Sequence, residues 1–221
     1  MTISLGRETV FTMLGAPVTT TVVTTWGLLV IVAVLAVLAG RGLKRSPSGW
    51  QAVVEWAVTS VGELLDKMTG TRQRYLPLVL TIGLFVLVAN LSSLLPLVES
   101  PTADINTPVA LALVVFFSVH YFGIRQQGFW RYLGSFARPN PILLPFNILS
   151  SLTRTVSLAI RLFGNMLSHQ VIVAILLLIL PLVVPAVLQV FGLLIGVLQA
   201  YIFMILTIVY IGGALRGESG G

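Results

Sequence analysis

The sequence predicts an all-α multi-pass membrane protein, on the basis of its composition, its mean hydropathy and the length of its apolar runs. Of the 221 residues, 57% are apolar and only 9% are charged, and the mean hydropathy is +1.00. Several runs reach the roughly 20 apolar residues that a helix needs to cross a hydrocarbon core about 30 Å thick. A chain of this composition belongs in a membrane rather than in water.

The residue composition excludes several kinds of site. The chain has no cysteine and two histidines, which leaves disulfides, thiolate chemistry and cysteine metal sites out of consideration. The net charge of +6 does not indicate a nucleic-acid partner, because no basic stretch alternates with aromatic residues on a polar segment. Membrane topology explains the positive charge better. We therefore expect no cofactor and no metal.

We expect one membrane domain over residues 1–221, made of five consecutive segments. They are a first transmembrane helix, an interfacial amphipathic helix, a transmembrane hairpin, a basic cytoplasmic loop and a long two-helix hairpin, over residues 20–40, 48–68, 77–124, 125–140 and 141–215.

The first segment rests on an apolar run from Thr20 to Ala39, which is long enough to span the membrane. A cleaved signal peptide is the alternative, because the small residues at the end of the run could form a cleavage site. Charge favours a retained helix, since Arg7 and Glu8 cancel before the run. Three basic residues follow it: Arg41, Lys44 and Arg45.

The second segment, SGWQAVVEWAVTSVGELLDKM, has the polarity pattern of an amphipathic helix. Glu55, Glu63 and Asp66 lie away from a stripe of apolar residues at helical spacing. That stripe consists of Trp50, Val53, Val54, Ala57, Val61, Leu64 and Leu65. A helix with this pattern lies in the plane of the membrane interface.

Four further apolar runs complete the chain. The first two, over residues 77–97 and 108–124, are joined by the polar stretch VESPTADINT. The last two, over residues 145–180 and 185–215, are separated at Pro181 and Pro185. Between the pairs lies the basic loop, which contains Arg125, Arg131 and Arg138.

The basic residues predict the topology. The helices alternate consistently if the positively charged loops lie in the cytoplasm, with the N-terminus outside and the C-terminus cytoplasmic. The residues placed on the cytoplasmic side are Arg41, Lys44, Arg45, Lys67, Arg72, Arg74, Arg125, Arg131, Arg138 and Arg216. Two arginines, Arg154 and Arg161, instead fall within apolar sequence.

These two arginines belong to a polar stripe. Seven polar residues recur every three or four positions, which puts them on one face of a helix over about 32 Å, close to the hydrocarbon thickness. They are Asn147, Ser150, Arg154, Ser157, Arg161, Asn165 and Ser168. Helix-packing contacts could explain the serines. They do not explain two permanent cations, which need an anion or water beside them.

The last apolar run carries a matching face, on which Gln189, Gly192, Gly196 and Gln199 recur at helical spacing. Glycines at this spacing allow two helix backbones to approach closely, and the amides could reach across to Arg161 or to Asn165. The glutamines indicate a polar passage or a brace between the last two helices.

At these residues the sequence resembles a known family. SLAIRLFGNMLSHQ, followed further along by LQAYIFMILTIVYIGGAL, is similar to the last two helices of subunit a of the F-type rotary ATP synthase of bacteria. ANLSSLLPLVESPTADIN resembles the earlier hairpin of that family, with Asn90, Pro96, Pro101, Asp104 and Asn106 in register. The likeness covers most of the chain from Pro77 onward.

The resemblance implies a mechanism. In this family the membrane arginine, here Arg161, faces a rotating ring of small subunits that each carry one carboxylate in mid-membrane. The cation favours the ionised carboxylate and so forces ion exchange with two offset half-channels. The last two helices would then form a tilted hairpin against this rotor ring.

The resemblance also assigns residues to the two half-channels. Arg161 is the residue essential for ion translocation. The inner half-channel would be lined by Asn147, Ser150, Arg154 and Ser157. The outer half-channel would be lined by Asn165, Gln199, His169, Gln170, Asn90, Glu99 and Asp104. The two loop acids among them could attract cations at the channel mouth or be ordinary solvated charges.

The chain departs from the family pattern in the outer half-channel. Many members have Glu or His where this chain has Gln170, His or Glu where it has Gly192, and Asp where it has Ser93. His169 could take over proton transfer, since its unperturbed pKa is near 6.5, or it could be a hydrogen-bonded interfacial residue. The transported ion is expected to be H⁺, with Na⁺ as the alternative. We interpret His120 as structural.

The resemblance implies a non-catalytic subunit in a bacterial plasma (inner) membrane. Its partners would be the c-ring subunits, b-type peripheral stalk subunits, the F1 sector indirectly, and membrane lipids. The chain has no phosphate-binding loop, so ATP chemistry would occur on partners. The alternatives are a free-standing transporter or ion channel, which would show inverted repeats, and a structural membrane anchor, which would lack buried charge.

Overall fold

A computed structural model describes residues 9–13, 16–41, 49–70, 72–94, 100–136, 140–179 and 183–216. The helices are α1 (Thr20–Arg41), α2 (Trp50–Thr69), α3 (Arg72–Leu91), α4 (Asn106–Gln127), α5 (Phe129–Ser135), α6 (Leu144–Ile179) and α7 (Val183–Arg216). Five of these described helices, α1, α3, α4, α6 and α7, are long and apolar enough to cross a membrane. The predicted all-α multi-pass class is therefore confirmed.

A short antiparallel hairpin precedes α1 and was not expected from the sequence. Strands β1 (Thr9–Met13) and β2 (Ala16–Thr19) pair with Met13 opposite Ala16 and Thr9 opposite Thr19, with an irregularity between Thr9 and Phe11. The β-branched residues of this segment, which are threonines and valines, favour extended backbone.

Helix α2 matches the predicted amphipathic segment. It ends at Gly70, whose φ of 68° lies in the left-handed region and whose N–H donates to the carbonyl of Asp66 over 2.9 Å. Glycine adopts this conformation at little cost, which is why the helix stops there. Leu65 is fully buried, whereas Val53 and Trp56 are exposed.

The start of α3 and the content of the predicted basic loop differ from the prediction. Helix α3 begins at Arg72, several residues before the apolar run, because hydropathy marks the apolar part of a helix and not its polar first turn. The predicted basic loop contains α5, which follows α4 after Gly128. The φ of 84° at Gly128 turns the chain between the two helices.

Helices α6 and α7 are the longest elements, with 36 and 34 residues. At about 1.5 Å per residue each exceeds the thickness of the hydrocarbon core, so a tilt within the membrane is expected. The proline break between them, at residues 180–182, falls outside the described residues, and Pro185 lies in the first turn of α7.

The chain divides into two compact units. The first comprises Met1–Lys44, Gly83–Pro108 and Ile160–Tyr201, and the second comprises Arg45–Ile82, Val109–Ala159 and Ile202–Gly221. The core of the first includes Val86, Ala89 and Leu162, and that of the second includes Tyr75, Phe203 and Ile208. A single domain over residues 1–221 stays a prediction.

Candidate functional site

The polar stripe lies along one continuous helix, α6. Arg154, Ser157, Arg161, Asn165 and Ser168 are exposed, while Asn147 and Ser150 are half-exposed. On another face of the same helix, Leu158 and Leu162 are only 2% and 1% exposed. The helix therefore buries these two leucines and exposes most of the polar stripe.

Arg161 has no partner within the part of the chain that the structure describes. No described residue accepts a hydrogen bond from its guanidinium or forms an ion pair with it. The sequence also has no Asp or Glu between Asp104 and Glu218. Because a guanidinium stays charged at any biological pH, an exposed one on a membrane helix needs an anion or water from elsewhere.

Beside the stripe, α6 and α7 are joined by an amide pair. The Nδ2 of Asn165 donates to the Oε1 of Gln199 over 2.8 Å, and Gln199 is only 3% exposed. The predicted contact between a glutamine of the last helix and Asn165 is therefore present. A buried amide that has found its partner fixes the register of the two helices, since breaking the bond would leave a buried polar atom unpaired.

Asn90 joins α3 to the backbone of α7 and to Thr102. Its Nδ2 donates to the carbonyl oxygen of Gly196 over 3.2 Å, and its Oδ1 accepts from the hydroxyl of Thr102 over 3.1 Å. A Cβ added at Gly196 would lie 3.0 Å from the Cβ of Asn90. Glycine is thus needed at this position for α3 and α7 to approach so closely.

His169 fills the space that a side chain at Gly192 would occupy. A Cβ built on Gly192 would lie 2.5 Å from both Cε1 and Nε2 of the imidazole. The chain lacks a side chain at Gly192 and has an imidazole at His169, and these two departures from the pattern that the resemblance implies occupy one place in the fold.

These residues form what we call the amide cluster: Asn90, Asn165, His169, Gly192, Gly196 and Gln199. They line a cavity of about 10 Å³. A cavity of this size is close to the smallest that can hold one water molecule. The cluster is therefore closely packed, and its cavity leaves no room for bulk solvent.

Of the other residues predicted for the outer half-channel, the two that the structure describes, Gln170 and Asp104, do not line the cavity of the amide cluster. Gln170 is half-buried. The Oδ1 of Asp104 accepts from the backbone N and the Nδ2 of Asn106, over 3.1 and 3.0 Å, which caps the start of α4. Glu99 lies outside the described residues.

A second cavity, the arginine cavity, has a volume of about 50 Å³, enough for several water molecules. Of the four residues predicted for the inner half-channel, only Arg154 lines it. Asn147 instead donates its Nδ2 to the carbonyl oxygen of Phe136 over 2.8 Å. Other polar side chains lining the arginine cavity are His120, Tyr132, Ser135, Ser151, Thr155 and Tyr210.

His120 has one defined bond in this wall. Its Nδ1 lies 2.8 Å from the carbonyl oxygen of Phe116, and because a carbonyl can only accept, Nδ1 is the donor. Its ring packs 4.1 Å from that of Phe116 and 5.9 Å from that of Tyr132. This aromatic packing fits a structural role.

Sequence reasoning did not find several of these polar residues. Thr102 is fully buried, and the hydroxyl of Ser100 donates to the carbonyl of Ala89 over 2.8 Å. In the sequence, both residues have the pattern of ordinary loop residues beside Pro101. Tyr210 could have been predicted as part of the polar face of α7, because it lies three helical turns beyond Gln199 on the same face. Within the described residues no group of three or more His, Asp or Glu could hold a metal ion.

Comparison with known proteins agrees with the resemblance. The family model described as ATP synthase A chain matches residues 22–212. A protein of Bradyrhizobium sp. named ATP synthase subunit a 2 is 47% identical over 205 residues, with 92% of each chain covered. A Pelobacter propionicus protein of the same name is 44% identical, covering 89% of this chain and 87% of its own.

The ATP synthase subunit a of Albidiferax ferrireducens is 45% identical over 204 residues, covering 90% of this chain and 87% of its own. Residues 22–212, which the family model matches, include the polar stripe and the amide cluster. Together with five helices able to span a membrane, these matches show that the chain belongs to the ATP synthase A chain family.

Proposed function

We propose that this chain is the stator subunit that carries ions across the membrane in a rotary ATP synthase, with Arg161 as its essential residue. The observation that carries the proposal is the exposed guanidinium of Arg161 on a membrane helix, which no described residue pairs with, in a stretch of sequence without acidic residues. Since no carboxylate of the described residues reaches that face, a partner would supply one.

The c-ring would supply the anion. A carboxylate that passes Arg161 in a low-dielectric environment gains a nearby cation, which favours its ionised form and releases the bound ion. As the carboxylate moves away it loses that cation and binds an ion again. Arg161 therefore separates an ion-releasing side from an ion-loading side, without forming or breaking a covalent bond.

The two polar regions suit the two half-channels. In the topology predicted from the basic loops, the amide cluster belongs to the outer half-channel and the arginine cavity to the inner one. The N-terminus then lies outside and the C-terminus in the cytoplasm of a bacterium, at its plasma (inner) membrane. The b-type peripheral stalk subunits would hold the chain still, and the F1 sector would carry out ATP chemistry.

We propose H⁺ as the transported ion, with His169 as a contributing titratable group in the amide cluster. Sodium remains a second candidate because of one observation. The polar atoms near the cavity include the oxygens of Asn90, Gln199 and the Gly196 carbonyl, and hard cations prefer oxygen ligands.

The test is Arg161→Ala in the complete complex. ATP-driven ion uptake into inverted vesicles should be lost, because the ring carboxylate loses its cation, while the complex should still assemble, because an exposed side chain contributes little to packing. Arg74→Ala, which removes an exposed arginine at the start of α3, is the matched control and should retain uptake. Uptake above about a tenth of wild type, a barrier change of only ~1.4 kcal/mol, would refute the role of Arg161.

A further inference from the structure

The packing of His120 uses only one of its two ring nitrogens. The Nδ1 donates to the carbonyl oxygen of Phe116 over 2.8 Å. The ring lies nearly parallel to that of Phe136, at 6.2 Å, and edge to face with that of Tyr132, at 5.9 Å. These contacts hold the imidazole in one orientation. Since Nδ1 keeps its hydrogen in this bond, Nε2 is the nitrogen of the neutral ring that can accept a proton.

The Nε2 atom of His120 is open to small molecules. It has no hydrogen-bond partner among the described residues, whereas every fully buried side-chain nitrogen or oxygen in the described part of the chain has one. Nε2 is therefore not fully buried. The ring lines both the arginine cavity and a neighbouring groove, but the groove wall exposes almost no polar atoms. The arginine cavity is thus the polar space into which Nε2 opens.

The other groups in the wall of the arginine cavity make this nitrogen distinct. The titratable or charged side chains that line the cavity with His120 are Tyr132 of α5, Arg154 of α6 and Tyr210 of α7, and no carboxylate of the described residues lines it. Tyrosine and arginine normally titrate far above neutral pH. Histidine is the side chain that gains and loses a proton between about pH 5 and 8. Among the described lining residues, His120 alone is therefore suited to carry a proton near neutral pH.

The position of His120 along the membrane fits the inner half-channel. It lies seven residues before the end of α4 at Gln127, which is about 10 Å along the helix axis. In the topology predicted from the basic loops, this end of α4 is cytoplasmic. The cavity volume of about 50 Å³ has room for water molecules that would connect the imidazole with the rest of the path.

We propose that His120 is a proton relay of the inner half-channel and acts through its Nε2. A hydronium ion in the arginine cavity transfers a proton to Nε2, which forms an N–H bond and leaves a water molecule. The imidazolium then returns this proton to a second water molecule further along the path. The Nδ1–H stays bonded to the carbonyl of Phe116 throughout, and the ring ends neutral. This relay rests on the proposed function with H⁺ as the transported ion.

The test compares His120→Glu with His120→Gln in the complete complex. The two side chains have the same shape and lose the same ring packing, but only the carboxylate can take up a proton. A relay predicts faster ATP-driven proton uptake into inverted vesicles for His120→Glu, by at least about threefold, or ~0.7 kcal/mol in the barrier. A purely structural role predicts equal rates or the opposite order, because glutamine can still donate to the carbonyl of Phe116 and an ionised carboxylate cannot.

A pH profile distinguishes a proton relay from a packing residue. In inverted vesicles the cytoplasmic face is outside, so the external pH sets the supply of protons to the inner half-channel. His120→Asn keeps an N–H donor for the carbonyl of Phe116 but cannot take up a proton. Its uptake relative to wild type should fall as the external pH rises from about 6 to about 8, because hydronium becomes scarcer and the relay matters more. The ratio to wild type removes the pH dependence of ATP hydrolysis, which both complexes share.

Three results would overturn the relay. They are uptake by His120→Gln equal to or above that of His120→Glu, a ratio for His120→Asn that does not change with pH, and uptake of sodium but not of protons by the wild-type complex. If His120→Glu does not assemble, the pH profile of His120→Asn decides alone. Arg161→Ala tests the ion path separately. Loss of uptake in that variant together with any of the three results would refute the relay and leave the proposed function standing.

Discussion

The amide cluster and the arginine cavity differ in what surrounds their polar groups within the membrane. In the amide cluster, Asn90, Asn165 and Gln199 form hydrogen bonds at 2.8 to 3.2 Å around a cavity of about 10 Å³. The arginine cavity is about five times larger and has a permanent cation, Arg154, in its wall. The first is fixed by its own bonds, whereas the second has room for water.

This difference predicts how each region responds to mutation. In the amide cluster, side chains hold the helices in register, so a substitution should affect both assembly and transport. In the arginine cavity, water can replace a lost side chain, so a substitution should change the rate of transport and leave assembly intact.

The largest effect within the two regions is expected from Gly196→Val. A Cβ at this position already lies 3.0 Å from the Cβ of Asn90, and the valine methyl groups would force α3 and α7 apart. We expect poor assembly and loss of ATP-driven uptake. Gly213→Val on the same helix is the control, because a Cβ there would meet nothing within 4 Å. Equal behaviour of the two variants would contradict the close approach of α3 and α7.

A smaller loss is expected from Gln199→Leu. The leucine removes the acceptor of the exposed Asn165, so the net contribution of one hydrogen bond, about 0.5–1.5 kcal/mol, is lost. Uptake should fall about tenfold, with a lower melting temperature of the complex. Gln189→Leu, on the same face of α7 but without a hydrogen bond to any described residue, should change neither. If Gln189→Leu reduced uptake and the melting temperature as much, loss of the Asn165–Gln199 bond would not explain the effect of Gln199→Leu.

Arg154 tests the arginine cavity. We expect Arg154→Gln to slow uptake a few-fold, a barrier increase of under ~1.4 kcal/mol, because the inner half-channel loses its fixed charge. Arg154→Lys should remain close to wild type because it keeps that charge. Assembly should be normal in both. Equal uptake rates for the two variants would show that the charge of Arg154 does not tune the channel.

The smallest effect is expected from His169→Ala, with uptake within about twofold of wild type, or ~0.4 kcal/mol in the barrier. Assays with and without sodium, and with Gln170→Glu added to restore a titratable group, distinguish a proton shuttle from a packing residue. Complete loss of uptake would show that His169 is essential and not merely contributing.

A double-mutant cycle tests the shared space of His169 and Gly192. Gly192→Ala places a methyl group where the imidazole lies, 2.5 Å from its Nε2. This change should reduce uptake in the wild-type background and be nearly silent beside His169→Ala, because the alanine at 169 vacates the space. Additive effects in the cycle would contradict the packing of the imidazole against Gly192.

The sequence was sufficient for the membrane-spanning helices, for α2 and for the polar stripe. Apolar runs and helical spacing predict them directly, and a stripe containing Arg154 and Arg161 has no simple packing explanation. The spacing of Gln199 also suggested the contact with Asn165. These features depend on local periodicity, which one sequence records.

Features that depend on distant contacts were beyond the sequence. The packing of His169 on Gly192, and the links from Thr102 to Asn90 and from Asn90 to Gly196, join residues far apart in the chain. Helix α5 was predicted as part of a basic loop, because it has only seven residues and these include Arg131 and Gly134. Short helices depend on tertiary packing more than on their own propensity.

The measurement that tests the central claim most directly is disulfide cross-linking between α6 and the ring. The chain has no cysteine, so Ser157→Cys and Ser168→Cys place single thiols on the exposed stripe on either side of Arg161. A second cysteine is placed beside the ring carboxylate, and both stripe positions should then form disulfides with the ring in the assembled complex. Leu158→Cys is the control and should form none, because Leu158 is buried. Cross-linking from Leu158→Cys, or none from either stripe position in an assembled complex, would contradict the claim that this face of α6 meets the ring.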